Sequence, residues 1–206
     1  QGDLRSKCLD QNTGDIVDCT GGLAFENEDT LVAWSANRQL ENRTTTTDSD
    51  TGDVVPYRQI ITYVEGLGQA FNYASLSASQ KESLLGAPET TSDDTLRLRR
   101  IVNYLRGSRT NEASNGGSFR NRKAMFGDFV HSAPTLVTEV GTNGDENLIL
   151  VGGNDGMLHI FNADDGEEVC AYVPNMVYEN LADLTDPYYT HKFFVDNTAF
   201  SAKVNG

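Results

Sequence analysis

Two patterns of apolar residues alternate along the chain. Short runs of β-branched and aromatic residues, bounded by Gly, Asn and Asp, occur before residue 75 and again after residue 127, and such runs predict β-strands. Between them, apolar residues recur at steps of three and four from Leu96 to Leu105, as on one face of an amphipathic helix. The pattern therefore predicts a mainly β chain with a short helical insertion, divided into a β-rich leading segment (1–74), a helical connector (75–126) and a second β segment (127–206).

Capping signals set the expected ends of two helices. Ser77 lies three residues before Gln80, which predicts a capping box, and Gly86 is typical of a C-terminal stop. Asp93 or Asp94 can cap the second helix. We expect the arginines of that helix to form a solvated face that pairs with nearby acids, with anion binding as the alternative; they are Arg97, Arg99, Arg100 and Arg106.

The strand pattern after residue 127 is regular. Four strand-like segments are joined by glycine-containing turns; the segments are 129–137, 147–151, 157–162 and 167–173. Short turns between successive strands predict an antiparallel meander. A meander of this kind builds one blade of a β-propeller.

Composition narrows the classes of partner. With 16 basic and 30 acidic residues the formal net charge is -14, which repels nucleic-acid backbones and anionic lipids, so nucleic acid is not an expected partner. The longest apolar run, 148–151, has the size of a strand, and no run approaches the roughly 18 to 20 residues of a membrane span. The chain begins at Gln1 without a Met or a charged-then-apolar leader. A removed signal segment or an internal fragment would both explain this, and we expect the fragment.

The three cysteines do not form a CxxC pair, so a metal site is not predicted from them. Cys8 and Cys19 flank a turn at 12–14 between two short strand-like segments, and a cross-strand disulfide there would suit an oxidising compartment. Two half-buried thiols in a hairpin are the alternative.

Few residues carry the pattern of a catalytic or metal site. The 48–53 segment is rich in Asp but lacks the glycine position and the distal Glu of a calcium loop, so a solvated turn is predicted. His131 and His159 lie among apolar strand residues without a ligand partner at metal-site spacing, and we expect hydrogen-bonded structural roles. Asp128 and Ser132 lack a G-x-S-x-G elbow and a matched base, so Asp128 is expected to cap a turn. The sequence thus predicts no catalytic residue and no metal ligand.

The stretch 151–169, Val-Gly-Gly-Asn-Asp-Gly-Met-Leu-His-Ile-Phe-Asn-Ala-Asp-Asp-Gly-Glu-Glu-Val, is similar to the blade repeat of quinoprotein-like propellers. Enzymes built on such propellers hold pyrroloquinoline quinone with a calcium ion, a catalytic Asp, and a tryptophan platform or a vicinal disulfide. Here Trp34 is the only tryptophan and no two cysteines are adjacent. The resemblance therefore implies the propeller scaffold with antiparallel blades, and it argues against the quinone chemistry.

A second resemblance covers nearly the whole chain. The pair 127–134 (Gly-Asp-Phe-Val-His-Ser-Ala-Pro) and 153–159 (Gly-Asn-Asp-Gly-Met-Leu-His) resembles the PilY/PilC family of type IV pilus tip-associated proteins. Further segments fall in the order that this family shows around the start of its C-terminal propeller; they are 31–36, 58–63, 71–77, 101–107, 171–174 and 184–196.

The family implies a secreted, extracellular protein at the pilus tip whose C-terminal propeller docks on minor pilins. Pilus assembly and extension, adhesion to host or abiotic surfaces and twitching are the implied roles, without catalysis. The chain would hold only the beginning of the propeller and would stop before the ring of blades closes. The calcium loop of some members lies further along, so no cofactor is assigned here. Arg106-Gly107-Ser108 departs from the Arg-Gly-Asp tripeptide that some members carry.

Two alternative functions are a quinoprotein-like redox enzyme and a generic outer-membrane propeller scaffold. Individual binding residues are not predicted. An aromatic-rich segment near the end of the chain can form an exposed contact patch or pack over the propeller face, and its residues are Tyr188, Tyr189, Phe193 and Phe194.

Overall fold

The structure, a computed structural model, describes residues 2–24, 30–141 and 144–202. Its regular structure is mainly β, as predicted, with a few short helices. The strands are β1 (Arg5–Ser6), β2 (Cys8–Leu9), β3 (Ile16–Val17), β4 (Trp34–Ser35), β5 (Thr45–Thr47), β6 (Val54–Pro56), β7 (Ile60–Val64), β8 (Leu67–Ala70), β9 (Thr135–Gly141), β10 (Gly144–Gly153), β11 (Met157–Asn162) and β12 (Glu168–Val173). The helices are α1 (Ala36–Glu41), α2 (Ala78–Leu85), α3 (Ser92–Leu105) and α4 (Tyr178–Leu181), with 3-10 turns at Ala113–Asn115, Asn175–Val177 and Ala182–Thr185.

A six-stranded mixed sheet forms the centre of the fold, in the order β8-β7-β12-β11-β10-β9. Strands β9 to β12 make the antiparallel meander that the sequence predicts. Strand β7 then pairs with β12 in parallel, and β8 folds back on β7 as a hairpin. Within the described residues the sheet is thus one four-stranded meander extended by an earlier hairpin, and a ring of blades is not seen there.

Two predicted strands differ in the structure. The 129–137 segment is a strand only from Thr135, because the preceding residues bond to other parts of the chain: the Gly152 amide donates to Ser132 Oγ at 2.7 Å. The 31–34 strand is reduced to a single bridge and the two-residue β4, since Ser35 caps α1 directly afterwards. The predicted turn at 141–145 includes residues 142 and 143, which lie outside the described residues.

The two predicted helices form with capping boxes at both N-termini. In α2, Ser77 accepts from the Gln80 amide and Gly86 ends the helix with a φ of 77°. In α3 the cap is Thr91, and Asp94 is the reciprocal partner three residues later, so the prediction of Asp93 or Asp94 as the cap was wrong by two or three residues. No helix in the described part of the chain is long and apolar enough to cross a bilayer.

Helices and sheet share one hydrophobic core. Leu98 and Ile101 of α3 pack with Ile60 of β7, Val173 of β12 and Leu181 of α4, all of them at most 2% exposed. These residues come from all three predicted segments, 1–74, 75–126 and 127–206. That division stays a prediction about chain organisation, and in space the three segments contribute to one core.

A second, smaller core lies on the same face of the sheet near β10 and β11. Leu40 of α1 and Phe126 pack there against Val151 and Phe161. The indole of Trp34 donates to the Ala163 carbonyl at 3.1 Å and so fixes β4 and α1 beside the β11–β12 turn. Both clusters leave the opposite face of the sheet without a helical cover in the described residues.

The leading segment carries small peripheral hairpins. Strands β2 and β3 pair. Cys8 and Cys19 form a disulfide with a Cα–Cα distance of 5.3 Å, which is one of the two states that the sequence left open. Strands β5 and β6 enclose the 48–53 turn, where the Asp48 carboxylate accepts from the Asp50 and Thr51 amides. Asp53 is buried and accepts from Asn103 and Asn111, so Asp48 stabilises the turn itself, whereas Asp53 ties the turn to the helical part of the chain and is not solvated as predicted.

Candidate functional site

A cleft of about 340 Å³ lies where the irregular segment 120–128 crosses the turn between β10 and β11. We call it the 120–128 cleft. Its size falls within the range of sites for organic ligands and short peptides. Besides residues 120–128 it is lined by Tyr104, Leu105, Asn154, Asp155, Leu184, Tyr189 and His191.

Arg122 anchors the segment to the helical part of the core. Its Nε donates to Glu112 Oε1 at 2.9 Å, its Nη1 donates to the Tyr104 carbonyl at 2.7 Å, and the guanidinium lies 3.7 Å from the Tyr104 ring centroid. Burial lowers the pKa of Arg122, whereas Tyr104 and Glu112 favour its charged form. All of these contacts hold the backbone of the segment in place, and Arg122 is not free to bind a ligand.

Gly127 fixes the other end of the segment. A Cβ at this position would lie 2.1 Å from the Asp155 nitrogen, so only glycine allows the backbone to rest on the 154–155 turn. The Asn154 amide donates to the Asp128 carbonyl at 3.1 Å across the same contact. The two sequence segments that carry the family resemblance therefore meet at the floor of the cleft.

Two cations line the cleft without an acidic partner. Arg120 donates from Nε to the Leu184 carbonyl at 2.9 Å, and its guanidinium lies 4.6 Å from the Tyr189 ring centroid. Lys123 is exposed. Among the described residues, no Asp or Glu forms an ion pair with either side chain.

Two His–Asp pairs lie near the cleft, and one of them, His191 with Asp128, lines it. His191 Nε2 lies 2.9 Å from Asp128 Oδ2, and His131 contacts Asp196. The Phe193 ring lies between the two imidazoles, with centroid distances of 5.0 and 5.3 Å. These contacts fasten the segment after residue 188 to the strand meander.

A buried network of charges lies directly beneath Phe126, on the far side of the cleft floor. Arg58 Nε donates to Glu168 Oε2 at 2.7 Å and Nη2 donates to Oε1 at 2.6 Å. His159 bridges Glu168 and Asp155, with Nδ1 2.8 Å from Glu168 Oε1 and Nε2 3.0 Å from Asp155 Oδ1. The side chains of Arg58, Glu168 and His159 are at most 1% exposed. The network therefore has two buried cations and two acids that compensate them.

The network shifts the pKa values of its members. Burial alone would lower the pKa of His159, but Asp155 and Glu168 raise it to about 9. Burial would raise the pKa of Glu168, yet Arg58 and His159 hold it well below its usual range. The pKa of Asp155 is likewise lowered, because His159 outweighs the effect of burial. At neutral pH the imidazolium and both carboxylates are charged.

Hydrolytic and metal chemistry find no support in these contacts. Ser132 Oγ accepts a backbone hydrogen bond, and Asp128 contacts His191 instead of a turn amide as we predicted. In the part of the chain that the structure describes, no group of three or more His, Cys, Asp or Glu side chains is arranged to hold a metal ion. What the cleft offers is a partly apolar floor with positive charge at its wall, which is suited to binding.

The predicted aromatic patch is divided in the structure. Tyr188 and Phe193 are 90% and 60% exposed. Tyr189 and Phe194 instead pack against the larger core, so the two interpretations apply to different members of the set. The exposed Met176 lies beside Phe193 in a shallow groove that Lys192 also lines.

Sequence reasoning missed the charge network and the cleft. The sequence did contain a signal for the network, because Arg58 and His159 occupy inward-facing positions in the strand alternation. Arg58 is two residues before the inward-facing Ile60, and His159 lies between Met157 and Phe161 on the same face of β11. A charged residue at an inward strand position requires a buried counter-charge. Which acid supplies it depends on the parallel pairing of β7 with β12, and the sequence pattern does not contain that pairing.

Comparisons with known proteins find relatives among type IV pilus biogenesis factors. The chain is 33% identical over 50% of its length to the type IV pilus biogenesis factor PilY1 homolog of Xylella fastidiosa strain Temecula1. It is 32% identical over 62% of its length to the type IV pilus biogenesis factor PilY1 of Pseudomonas aeruginosa strain PAK, and 29% identical over 80% to that of strain UCBPP-PA14. The chain spans only 10%, 13% and 15% of these relatives. No family model and no solved structure matches.

Proposed function

We propose that the chain is part of a type IV pilus biogenesis factor of the PilY1 kind, as its similarity to these relatives supports, and that it serves pilus biogenesis as a binding part of a surface protein and not as an enzyme. The observation that carries this proposal is the 29% identity to the PilY1 of strain UCBPP-PA14 in a match over 197 residues, which covers 80% of the chain. A likeness of this extent is hard to explain by one shared strand motif.

We further propose that the meander is one blade of a β-propeller. The face of the sheet that the helices leave uncovered is apolar as well, and we call it the outer sheet face; it includes Ile61, Tyr63, Leu150, Leu158, Ile160, Cys170 and Tyr172. Ile61 and Tyr63 are 43% and 47% exposed on it. In a propeller each blade packs its faces against neighbouring blades, so an apolar outer face suits a blade that stacks on another sheet.

The proposed location is extracellular, at the pilus tip, with minor pilins as the docking partners. The Cys8–Cys19 disulfide supports an oxidising compartment. Exposed apolar side chains at Met176, Tyr188 and Phe193 provide a surface for a protein partner. Adhesion to host or abiotic surfaces and a role in extension and twitching belong to the same proposal. No cofactor is assigned to this part of the protein.

The proposal is tested on the full-length protein in the bacterium that produces it. The protein is tagged on the chromosome, surface filaments are sheared off, and tagged complexes are captured and identified by mass spectrometry. Minor pilins should be recovered with the tagged protein and should be absent from a strain that assembles no pili. A double variant, Met176→Ser with Phe193→Ser, should lower their recovery.

Ile16→Ser is the matched control for the double variant. Ile16 is also exposed, at 51%, but lies on the peripheral hairpin of β2 and β3, so recovery of pilins should not change. Capture of the protein without any pilin, together with unaltered pilus number and twitching in a deletion strain, would overturn the proposed function. Equal losses in both variants would overturn the assignment of the docking surface.

A further inference from the structure

The 120–128 cleft differs in charge from the rest of the molecule. Three of the four residues 120–123 are basic in a chain whose net charge is -14. Glu112 compensates Arg122, whereas Arg120 and Lys123 have no carboxylate partner among the described residues. The two acids of the cleft are already engaged, Asp128 with His191 and Asp155 with His159. The positive charge at the wall is therefore available to a ligand.

Arg120 is held in a conformation suited to a carboxylate. Its backbone amide donates to the Thr185 carbonyl at 2.8 Å, its carbonyl accepts from the Tyr104 hydroxyl at 3.1 Å, and its Nε is used by Leu184. The Tyr189 ring supports one face of the guanidinium. The two Nη atoms have no hydrogen-bond partner among the described residues, and this pair matches the two oxygens of a carboxylate.

The floor of the cleft is apolar. Leu105, Ala124, Phe126 and Leu184 line it and are nearly buried. A free inorganic anion would leave this floor uncovered and would fill little of a volume of about 340 Å³. A ligand that combines a carboxylate with an adjacent apolar side chain uses both features.

We propose that the 120–128 cleft binds an acidic, apolar peptide segment of a partner protein. A carboxylate of the segment lies between Arg120 and Lys123, and a neighbouring apolar side chain covers Phe126 and Leu184. The proposal stands on the geometry of the cleft and does not depend on the pilus as the place of action.

The test measures fluorescence anisotropy on the full 206-residue chain with a labelled, end-capped peptide of alternating Asp and Leu. Two peptides with the same label replace Asp by Asn or Leu by Ser. The Asp–Leu peptide should bind, and each replacement should weaken binding by about tenfold or more, because a charge-assisted hydrogen bond or an apolar contact is lost. Binding should also weaken as salt is raised.

Variants locate the binding. Lys123→Glu reverses an exposed charge at the cleft and should reduce affinity by about tenfold or more, and Arg120→Lys should reduce it by keeping the charge and removing the paired donors. Arg97→Gln is the matched control, since Arg97 is exposed on α3 and does not line the cleft. Loss of binding only in the cleft variants supports the proposal. Equal loss in Arg97→Gln, equal binding of the Asn or Ser peptide, or full competition by inorganic phosphate at matched carboxylate concentration would each overturn it.

Discussion

Replacing Glu168 by Gln removes the negative charge on which two buried cations depend. The Glu168 carboxylate accepts two hydrogen bonds from Arg58, at 2.6 and 2.7 Å, and one from His159 at 2.8 Å. Gln keeps the size of the side chain but has one acceptor oxygen, and its amide group must face a donor. Arg58 would keep at most one of its two hydrogen bonds to residue 168, and its remaining contacts are distant, 3.5 Å to the Arg106 carbonyl and 3.8 Å to Met157 sulfur. Removing one partner of a fully buried pair costs about 3 to 5 kcal/mol of unfolding free energy.

The adjacent residue provides a control with the same chemistry. Glu167 lies 3.1 Å from Arg43, but its side chain is 59% exposed, so Glu167→Gln should cost less than about 1 kcal/mol. Urea unfolding of both variants at pH 6, without reductant, measures the difference. The fluorescence of Trp34 reports it, since this single, buried tryptophan lies against the turn that precedes Glu168.

Losses within about 1 kcal/mol of each other in the two variants would refute the reasoning. If Glu168→Gln does not fold, Glu168→Asp tests the same point, because it keeps the charge and shortens the reach. A double variant, Arg58→Met with Glu168→Leu, separates charge from packing. It removes both members of the pair and should recover part of the stability lost in Glu168→Gln, since an apolar pair leaves no uncompensated arginine. A double variant less stable than Glu168→Gln would assign the loss to packing.

Three further predictions concern pH, the disulfide and a glycine. The pKa of His159 is raised from 6.5 to about 9 in the folded chain, so the stabilisation that its charged form gives the folded state is full below pH 6.5 and is lost as pH rises through 9. Urea unfolding should therefore show a loss of about 3 kcal/mol of unfolding free energy over that range, and His159→Gln should not show it. Reduction of the Cys8–Cys19 disulfide, which closes a loop with a separation of 11 residues, should remove about 2 to 3 kcal/mol of local stability; hydrogen exchange should accelerate in β2 and β3 and not in β11. Gly166→Ala places a Cβ 2.3 Å from the Trp34 ring at a φ of +74°, whereas Gly52→Ala, at a φ of +75°, meets no atom within 4 Å. Gly52→Ala should cost about 1 to 2 kcal/mol of unfolding free energy, and Gly166→Ala should cost clearly more in the same urea assay. Equal costs would contradict the predicted clash with Trp34.

The local elements of this fold were predictable because their causes are local. The Ser77–Gln80 capping box, the αL glycine at 86 and the meander turns at Gly156 and Gly166 depend on residues a few positions apart, and the structure has them where the sequence predicts them. The N-cap of α3 was misplaced because Thr91 and Asp94 both suit a cap, and the box uses them reciprocally. Helix α1 was missed, since six residues are too few to show a helical period.

The long-range features could not be predicted from pattern alone. The parallel pairing of β12 with β7 joins residues 60–62 to 171–173 across the whole helical connector. That single pairing brings Arg58 to Glu168, closes the larger core and leaves the outer sheet face uncovered by helices. An alternating strand pattern states which face of a strand is apolar, but it does not name the neighbouring strand.

The two segments that carried the family resemblance have one physical explanation in common. Gly127 rests on the 154–155 turn because it has no Cβ, and Gly153 leaves room for the Asp155–His159 pair, since a Cβ there would lie 2.7 Å from Asp155 Oδ1 and 3.0 Å from His159 Nε2. Ser132 accepts the amide hydrogen bond of Gly152 next to this contact. The first segment thus contributes Gly127 and Asp128 to the lining of the 120–128 cleft, and the second contributes Asn154 and Asp155 and holds part of the buried charge network. A substitution at either glycine should therefore disturb the cleft and the charge network together, which links the stability of the meander to the shape of its proposed binding site.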